Sequence, residues 1–383
     1  MANATLTALP QTALAGELND LELGLLRPEA PAPLWPNQGR ALAAEIPVTL
    51  RYRTWGKLNA RADNAVLVLH ALTGNADAHL WWDGLFGPGK LLDPEHCFIV
   101  CPNLLGSCYG STGPGSVAPD GRLWGERFPR LTPADQVEAV ERLRAALAIP
   151  RWQTVIGGSL GGFVALEYVY KHPASCRDVV VLATAHRINA LATGYNHLQR
   201  TLILNDPEFP RREYDGAPDL QGLAQARMHA MLTYRTFELF EARYGKARGE
   251  PAESLNSYLD YQGKKLVERF EPAAYIALTH CMDAHDIERH GLSLDAILRD
   301  FAIEGGRLVV VSYQDDLLFP AWQQRELADA AQRAGLPCRL LEYRSEYGHD
   351  AFLADTEILN NDLQAALGES WSAYRWSPRA SAF

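Results

Sequence analysis

A serine enclosed by glycines is the strongest chemical signal in the sequence. Gly157-Gly158-Ser159-Leu160-Gly161-Gly162 follows the apolar run Thr154–Ile156 and opens an apolar helical segment from Phe163 to Tyr170. A sharp strand-to-helix turn of this kind leaves no room for neighbouring Cβ atoms and holds its serine in a strained conformation. An incidental serine in a glycine-rich turn is the alternative. The strand–turn–helix context favours a nucleophile at Ser159.

Two later segments supply an acid and a base in the chain order that this nucleophile requires. Asp315 and Asp316 follow the apolar run Leu308–Val311, and His349 follows the strand-like run Cys338–Tyr343. A histidine takes the serine proton, and a carboxylate orients the imidazole. Both aspartates satisfy the local pattern, and either also suits a helix cap. The chain therefore predicts a serine–aspartate–histidine triad.

The segment His70-Ala71-Leu72-Thr73-Gly74 follows another apolar run, Ala65–Leu69. In an architecture with such a nucleophile turn, the loop after this strand gives one amide to the oxyanion hole. The residue after the nucleophile gives the other. We therefore predict that the backbone N–H groups of Leu72 and Leu160 form the oxyanion hole. A structural role is favoured for His70 over that of a second base.

No pattern in the sequence predicts a metal or a permanently bound cofactor. Gly84 to Leu91 resembles a phosphate-binding loop, but Leu91 stands where Ser or Thr is needed. His280, His285 and His290 are five residues apart, a spacing that does not stack on one helical face.

Short apolar runs separated by helical patterns must position these residues. Runs rich in β-branched residues are typical of parallel strands covered on both faces, so we predict a doubly wound α/β sheet. Thr132 and Asp135 predict a capped helix start. We assign residues 46–185 and 301–369 to the catalytic domain and 186–300 to a helical lid insertion. Residues 1–45 are interpreted as an N-terminal arm and 370–383 as a C-terminal tail.

Composition narrows the possible partners. The net charge of −10 argues against nucleic acid and anionic membranes. The N-terminus lacks a signal-peptide pattern, and no run of about 18 apolar residues occurs. The six cysteines are too sparse for a disulfide scaffold. We expect reduced cysteines, no membrane association and a cytoplasmic protein.

Five segments together resemble the homoserine O-acetyltransferases, which are α/β-hydrolase-fold enzymes of methionine biosynthesis. The resemblance covers residues from about 45 to about 367. It is carried by the segments 70–74, 103–114, 157–162, 316–320 and 347–353, which read HALTG, NLLGSCYGSTGP, GGSLGG, DLLFP and YGHDAFL. The chain departs from the family pattern at Phe163-Val164-Ala165, where methionine and glutamine are more frequent.

The resemblance implies roles that the residues alone do not fix. It places the triad acid at Asp316 rather than Asp315. It implies that Arg227 holds the homoserine carboxylate, that Asp350 holds the ammonium as a lone carboxylate, and that Tyr234 with Arg235 belongs to the pocket wall. The implied donor is acetyl-CoA, with a ping-pong mechanism through acyl-Ser159. The family default is a homodimer through the lid helices.

Alternatives remain within and beyond this family. Close relatives use succinyl-CoA or accept serine. A hydrolase uses the same triad with water, and a noncatalytic binding member of the fold is a further alternative. Arg227, Asp350 and the long insertion favour transfer to an amino-acid alcohol.

Overall fold

A twisted β-sheet forms the centre of the molecule. The computed structural model describes residues 15–35, 43–209, 220–245 and 253–368. Within these ranges the sheet has eight strands: β1 (Glu17–Leu26), β2 (Ile46–Trp55), β3 (Ala65–Leu69), β4 (Phe98–Pro102), β5 (Trp152–Gly158), β6 (Cys176–Leu182), β7 (Arg307–Tyr313) and β8 (Cys338–Tyr343). Their spatial order is β1-β2-β4-β3-β5-β6-β7-β8. The strands from β4 to β8 in that order are parallel, and β2 is antiparallel to both its neighbours.

Helices cover both faces of this sheet. They are α1 (Ala78–Trp81), α2 (Pro133–Ala146), α3 (Leu160–Lys171), α4 (Ala190–Leu204), α5 (Gln221–Tyr234), α6 (Phe237–Tyr244), α7 (Glu253–Val267), α8 (Pro272–Asp283), α9 (Leu294–Ile303), α10 (Ala321–Ala334), α11 (Ala351–Ala354) and α12 (Thr356–Gly368). The predicted start of α2 is confirmed: Asp135 N donates to Thr132 Oγ1 (3.3 Å), and Thr132 N donates to Asp135 Oδ2 (2.7 Å). The predicted α/β class is confirmed as well.

Strand β3 shows why the apolar runs are continuous. Leu67 and Leu69 belong to the core on one face, whereas Val66 and Val68 belong to the core on the other. Successive side chains of a strand point to opposite faces, so a sheet covered on both faces needs apolar residues at every position. All five residues of β3 are buried.

The N-terminal segment differs from the arm that the sequence predicted. Residues Glu17–Leu26 form the edge strand β1, paired antiparallel with β2. Most of its side chains are exposed or half-buried, because within the described chain β1 is at the edge of the sheet and pairs with β2 alone. Arg142 on α2 donates to the carbonyls of Leu23 (3.1 Å) and Leu25 (2.7 Å). An edge strand with so little burial leaves a weak apolar pattern.

Six helices, α4 to α9, lie between β6 and β7 in the described chain. The predicted boundary at 300/301 falls inside α9, whose Leu298 and Phe301 are buried in the sheet core. The assignment of 186–300 as a lid stays a prediction. The tail assigned to 370–383 lies outside the described residues. In the described part of the chain, none of the helices has the length and apolar character to cross a bilayer.

Candidate active site

The turn between β5 and α3 holds Ser159 in an unusual conformation. Its backbone has φ 54° and ψ −121°, a region that side-chain-bearing residues rarely occupy. Ser159 N donates to Leu182 O on the adjacent strand (2.9 Å). A Cβ added to Gly161 would lie 2.1 Å from Leu69 O, so only glycine fits there. The strand end and the glycines together hold the serine above the sheet edge.

His349 and Asp316 complete a hydrogen-bonded chain with Ser159. His349 Nε2 lies 3.0 Å from Ser159 Oγ, and His349 Nδ1 lies 2.8 Å from Asp316 Oδ2. Because a carboxylate only accepts, Nδ1 carries the proton and Nε2 accepts from the serine hydroxyl. All three side chains are buried. This arrangement can transfer the serine proton during attack on an acyl carbon.

Asp316 is itself fixed by backbone amides. Its Oδ1 accepts from Leu318 N (2.8 Å) and Phe319 N (3.0 Å), which leaves Oδ2 for the imidazole. The neighbouring Asp315 is exposed. The structure thus brings Asp316, and not Asp315, to the histidine.

The electrostatic surroundings of His349 favour its protonated form. Burial lowers the pKa of His349, but the charge of Asp316, its hydrogen bond and the charge of Asp350 outweigh burial. The pKa therefore lies above the ordinary value of 6.5. An imidazole of raised pKa accepts the serine proton more readily, and it is also neutral only at higher pH.

The two predicted oxyanion amides belong to a loop of the cavity and to the residue after the serine. Leu72 lines the same cavity as Ser159, and Leu160 is the first residue of α3. Among the described residues, neither amide donates a hydrogen bond within the protein. Both N–H groups are therefore available to an oxyanion.

His70 holds the loop that carries Leu72. Its Nε2 accepts from Leu104 N (2.9 Å), so its Nδ1 bears the proton and donates to Ala71 O (2.8 Å). Burial lowers the pKa of His70 to about 4, and the ring is neutral near pH 7. Asn103 Oδ1 accepts from Ala76 N (2.7 Å) in the same loop. These contacts agree with a structural role for His70.

A cavity of about 630 Å³ opens in front of Ser159. Arg227, Tyr234 and Asp350 line it together with Ser159 and His349. The guanidinium of Arg227 lies 5.7 Å from the centre of the Tyr234 ring. Within the described ranges Arg227 makes no ion pair or hydrogen bond. A guanidinium without a hydrogen-bond partner suits a carboxylate ligand, which it binds through two parallel hydrogen bonds.

Asp350 is not the lone carboxylate that the sequence suggested. Its Oδ2 lies 3.4 Å from Nη2 of Arg235. Burial raises the pKa of Asp350, while Arg227 and Arg235 oppose the rise. Two cationic side chains of the cavity, Arg227 and Arg235, therefore lie near one carboxylate on the side formed by α5 and the histidine loop.

Sequence reasoning missed Arg269, a further cavity residue. Its Nη1 donates to Thr73 O and to the Tyr109 hydroxyl, both at 2.8 Å. It therefore ties the loop of Leu72 to the insertion. Nothing in the local sequence distinguishes Arg269 from the other arginines of the insertion. The hydrogen bond joins positions 196 residues apart.

The remaining sequence signals have structural explanations. Phe163 stacks on His285 with ring centres 3.9 Å apart and does not line the cavity. His280 contacts Leu34 O, and His290 contacts Glu167, so the three histidines point to separate partners. In the described ranges, no group of three His, Cys, Asp or Glu side chains is placed to hold a metal.

Comparison with known proteins places this geometry in a family. A model of the alpha/beta hydrolase fold matches residues 64–356. Homoserine O-acetyltransferase from Nostoc punctiforme is 42% identical over 327 residues, which are 83% of this chain and 90% of that protein. The Thermus thermophilus protein of the same name is 43% identical over 345 residues, with 84% and 86% covered.

Solved structures share the fold at lower identity. Homoserine O-acetyltransferase from Bacillus anthracis has a TM-score of 0.82 at 22% identity, covering 94% of this chain and 99% of that one. An acetylester hydrolase from Corynebacterium glutamicum has a TM-score of 0.77 at 21% identity, covering 92% and 96%. The fold is thus common to a transferase and a hydrolase. The sequence relationships are more specific, and by them the chain belongs to the homoserine O-acetyltransferase family of the α/β-hydrolase fold.

Proposed function

We propose that this chain transfers an acetyl group from acetyl-CoA to the hydroxyl of L-homoserine through an acyl-Ser159 intermediate. One observation supports the proposal most strongly. The hydrogen-bonded set of Ser159, His349 and Asp316 opens on a cavity that also holds the unpaired Arg227 and the carboxylate of Asp350. A nucleophile for acyl transfer therefore stands beside groups that match both ends of an amino acid. The names of the curated relatives agree with this acceptor.

The first half-reaction forms the acyl-enzyme. Ser159 Oγ attacks the thioester carbonyl carbon while its proton passes to His349 Nε2, and Asp316 stabilises the imidazolium that forms. The amides of Leu72 and Leu160 bind the oxyanion. The carbon–sulfur bond then breaks, and His349 returns the proton to the leaving thiolate. CoA leaves as the free thiol, and an ester remains on Ser159.

The second half-reaction reverses the proton path. The homoserine hydroxyl attacks the acyl carbon while its proton passes to His349. The carbon–oxygen bond to Ser159 breaks, and the proton returns to Ser159 Oγ. The product is O-acetylhomoserine, and the enzyme regains its starting state.

Arg227 and Asp350 are the proposed acceptor-binding residues. The Arg227 guanidinium binds the substrate carboxylate, and Asp350 binds the ammonium. Tyr234 contacts the Arg227 guanidinium with its ring face and lies 5.6 Å from the His349 ring. It therefore helps to place the acceptor carboxylate relative to the base. Arg235 limits the negative charge that Asp350 presents.

Water is the competing acceptor. The acetylester hydrolase from Corynebacterium glutamicum shares the fold, so the fold alone does not separate transfer from hydrolysis. Succinyl-CoA as donor and serine as acceptor are the alternatives within the family. The unpaired Arg227 favours an acceptor with a carboxylate, because an esterase working with water needs no such group.

Acyl-enzyme formation and acceptor use are measured separately to test this function. Acetyl-CoA alone is expected to release one burst of CoA per active site and to add one acetyl group to the Ser159 peptide. Continuous release is expected when homoserine is added, and Ser159→Ala is expected to do neither. Continuous release without any amino acid would make water the acceptor. Succinyl-CoA and serine in parallel assays define the donor and the acceptor.

We also propose a cytoplasmic homodimer that pairs through the insertion helices. Exposed apolar side chains on these helices support a contact surface: Leu198 (43% exposed), Leu232 (45%), Phe237 (73%) and Tyr261 (58%). All six cysteines are unpaired, which fits a reducing compartment. Sedimentation equilibrium of the wild type and of Phe237→Glu tests the pairing, and a monomeric wild type would refute it.

A further inference from the structure

We infer that Leu80, Trp81 and Leu353 form a subsite for the neutral alkyl-amide arm of the acyl-CoA thiol. This inference rests on the proposed function and names the part of the cavity that takes the donor. The cavity of about 630 Å³ is several times larger than homoserine requires. Charged groups that match an amino acid lie on α5 and at Asp350. A second, chemically different side of the cavity remains to be explained.

That second side is apolar and comes from two short helices. Leu80 and Trp81 lie on α1, and Leu353 lies on α11; all three line the cavity that contains Ser159. Trp82 Nε1 donates to Phe352 O (2.9 Å) and holds α1 against α11. Isolated exposed leucines are common on protein surfaces. Three apolar side chains that line the cavity of a nucleophile instead provide an apolar wall for a ligand.

The wall begins where the oxyanion loop ends. Leu72 supplies the proposed oxyanion amide, and α1 starts six residues later at Ala78. A thioester carbonyl bound at Leu72 and Leu160 leaves its sulfur chain in the space beside this loop. Leu80 is 69% exposed, so the wall extends from the buried serine to the solvent. A long chain whose distal end is highly charged needs such a path.

One unpaired hydrogen-bond donor lies on the same wall. Asn75 lines the cavity, and its Oδ1 accepts from Asp77 N (2.9 Å), which orients the amide. Within the described part of the chain, Asn75 Nδ2 has no partner. An alkyl-amide arm offers both apolar methylenes and amide carbonyls. Asn75 Nδ2 can donate to one of those carbonyls while Leu80 and Trp81 contact the methylenes.

The test compares two acetyl donors that differ only in their leaving groups. Acetyl-CoA carries the arm, whereas p-nitrophenyl acetate does not. In a ping-pong reaction kcat/KM for the donor reports the acylation half-reaction alone. Leu80→Asp places a charge where the arm lies, and Leu80→Ile keeps the apolar surface. Ile303→Asp is the matched control, since Ile303 is 73% exposed on α9 and does not line the cavity.

Leu80→Asp is expected to lower the ratio of kcat/KM for acetyl-CoA to that for p-nitrophenyl acetate by roughly tenfold. Leu80→Ile and Ile303→Asp are expected to keep the wild-type ratio. Asn75→Asp retains the acceptor for Asp77 N but removes the donor, and it is expected to lower the ratio roughly threefold.

An unchanged ratio in Leu80→Asp would overturn the subsite, as would an equal fall in Ile303→Asp. Failure of the proposed function looks different. In that case the wild type reacts with p-nitrophenyl acetate but not with acetyl-CoA, before any variant is compared.

Discussion

Replacing Arg227 by alanine separates the use of an amino-acid acceptor from the formation of the acyl-enzyme. The side chain lines the cavity, lacks an ion-pair partner among the described residues and contacts Tyr234 through its ring face. If it binds the acceptor carboxylate, its loss affects only the step in which homoserine is bound. The proposed first half-reaction uses Ser159, His349 and the oxyanion amides, and in the described chain no hydrogen bond joins any of these groups to Arg227.

The expected magnitude follows from the contact that is lost. A bidentate, charge-assisted pair contributes about 1.5–3 kcal/mol, so KM for homoserine is expected to rise by roughly 10- to 150-fold. A second effect acts through Asp350. Arg227 holds the pKa of Asp350 down, so its removal raises that pKa. Acceptor use in the variant is therefore expected to fall further as the pH is lowered.

Two measurements on the same preparation provide the assay. Burst amplitude and rate with acetyl-CoA alone report the acyl-enzyme, and steady-state CoA release against homoserine concentration reports the acceptor. Arg227→Lys is expected to recover little, since an ammonium cannot form two parallel hydrogen bonds to a carboxylate. Gln225→Ala is the control, because Gln225 is an exposed residue of the same helix. An unchanged KM, or a burst that falls as much as acceptor use, would refute the reasoning.

Three further results are expected. In steady-state kinetics, Asp316→Asn should lower turnover by roughly 10⁴-fold, whereas Asp315→Asn should stay near wild type. If Asp315→Asn were the damaging change instead, the triad acid would be Asp315. In a pH series, kcat/KM for acetyl-CoA should fall as the pH drops through the raised pKa of His349, with its midpoint above 6.5, since only the neutral ring accepts a proton. A midpoint below 6.5 would contradict that assignment. In thermal unfolding, Gly161→Ala should lower the free energy of unfolding by about 3 kcal/mol or more, because the added Cβ would collide with Leu69 O. Gly194→Ala is the control: Gly194 lies on an exposed helix face, and this change should be neutral or stabilising.

The predictable part of the site is the part that local sequence encodes. A single turn requires the glycines around Ser159, and His349 lies in the segment that follows strand β8. The choice between Asp315 and Asp316 was different. The amides of Leu318 and Phe319 bind Asp316, and that contact is visible only in three dimensions. The family resemblance pointed to Asp316, which is the aspartate that lies beside His349, whereas spacing did not distinguish the two.

The parts that were not predicted depend on distant contacts or weak burial. Strand β1 is an edge strand, so its side chains carry little of the apolar alternation that marks β2. Arg269 reaches Thr73 across 196 residues, and no spacing rule anticipates such a pair. The partner of Asp350 was missed for a related reason, because Arg235 lies just after α5 and is far from Asp350 in the sequence.

The contact between Trp82 and Phe352 also has a consequence for synthesis of the chain. During synthesis Ser159 emerges from the ribosome 190 residues before His349, its base. Phe352, whose carbonyl oxygen accepts from the Trp82 indole, follows three residues after His349. Until that last segment is made and docked, the nucleophile has no base, and α1 has no fixed position against α11. A chain that ends before Phe352, whether nascent or truncated, therefore lacks this contact, and one that ends before His349 cannot form the proposed acyl-enzyme.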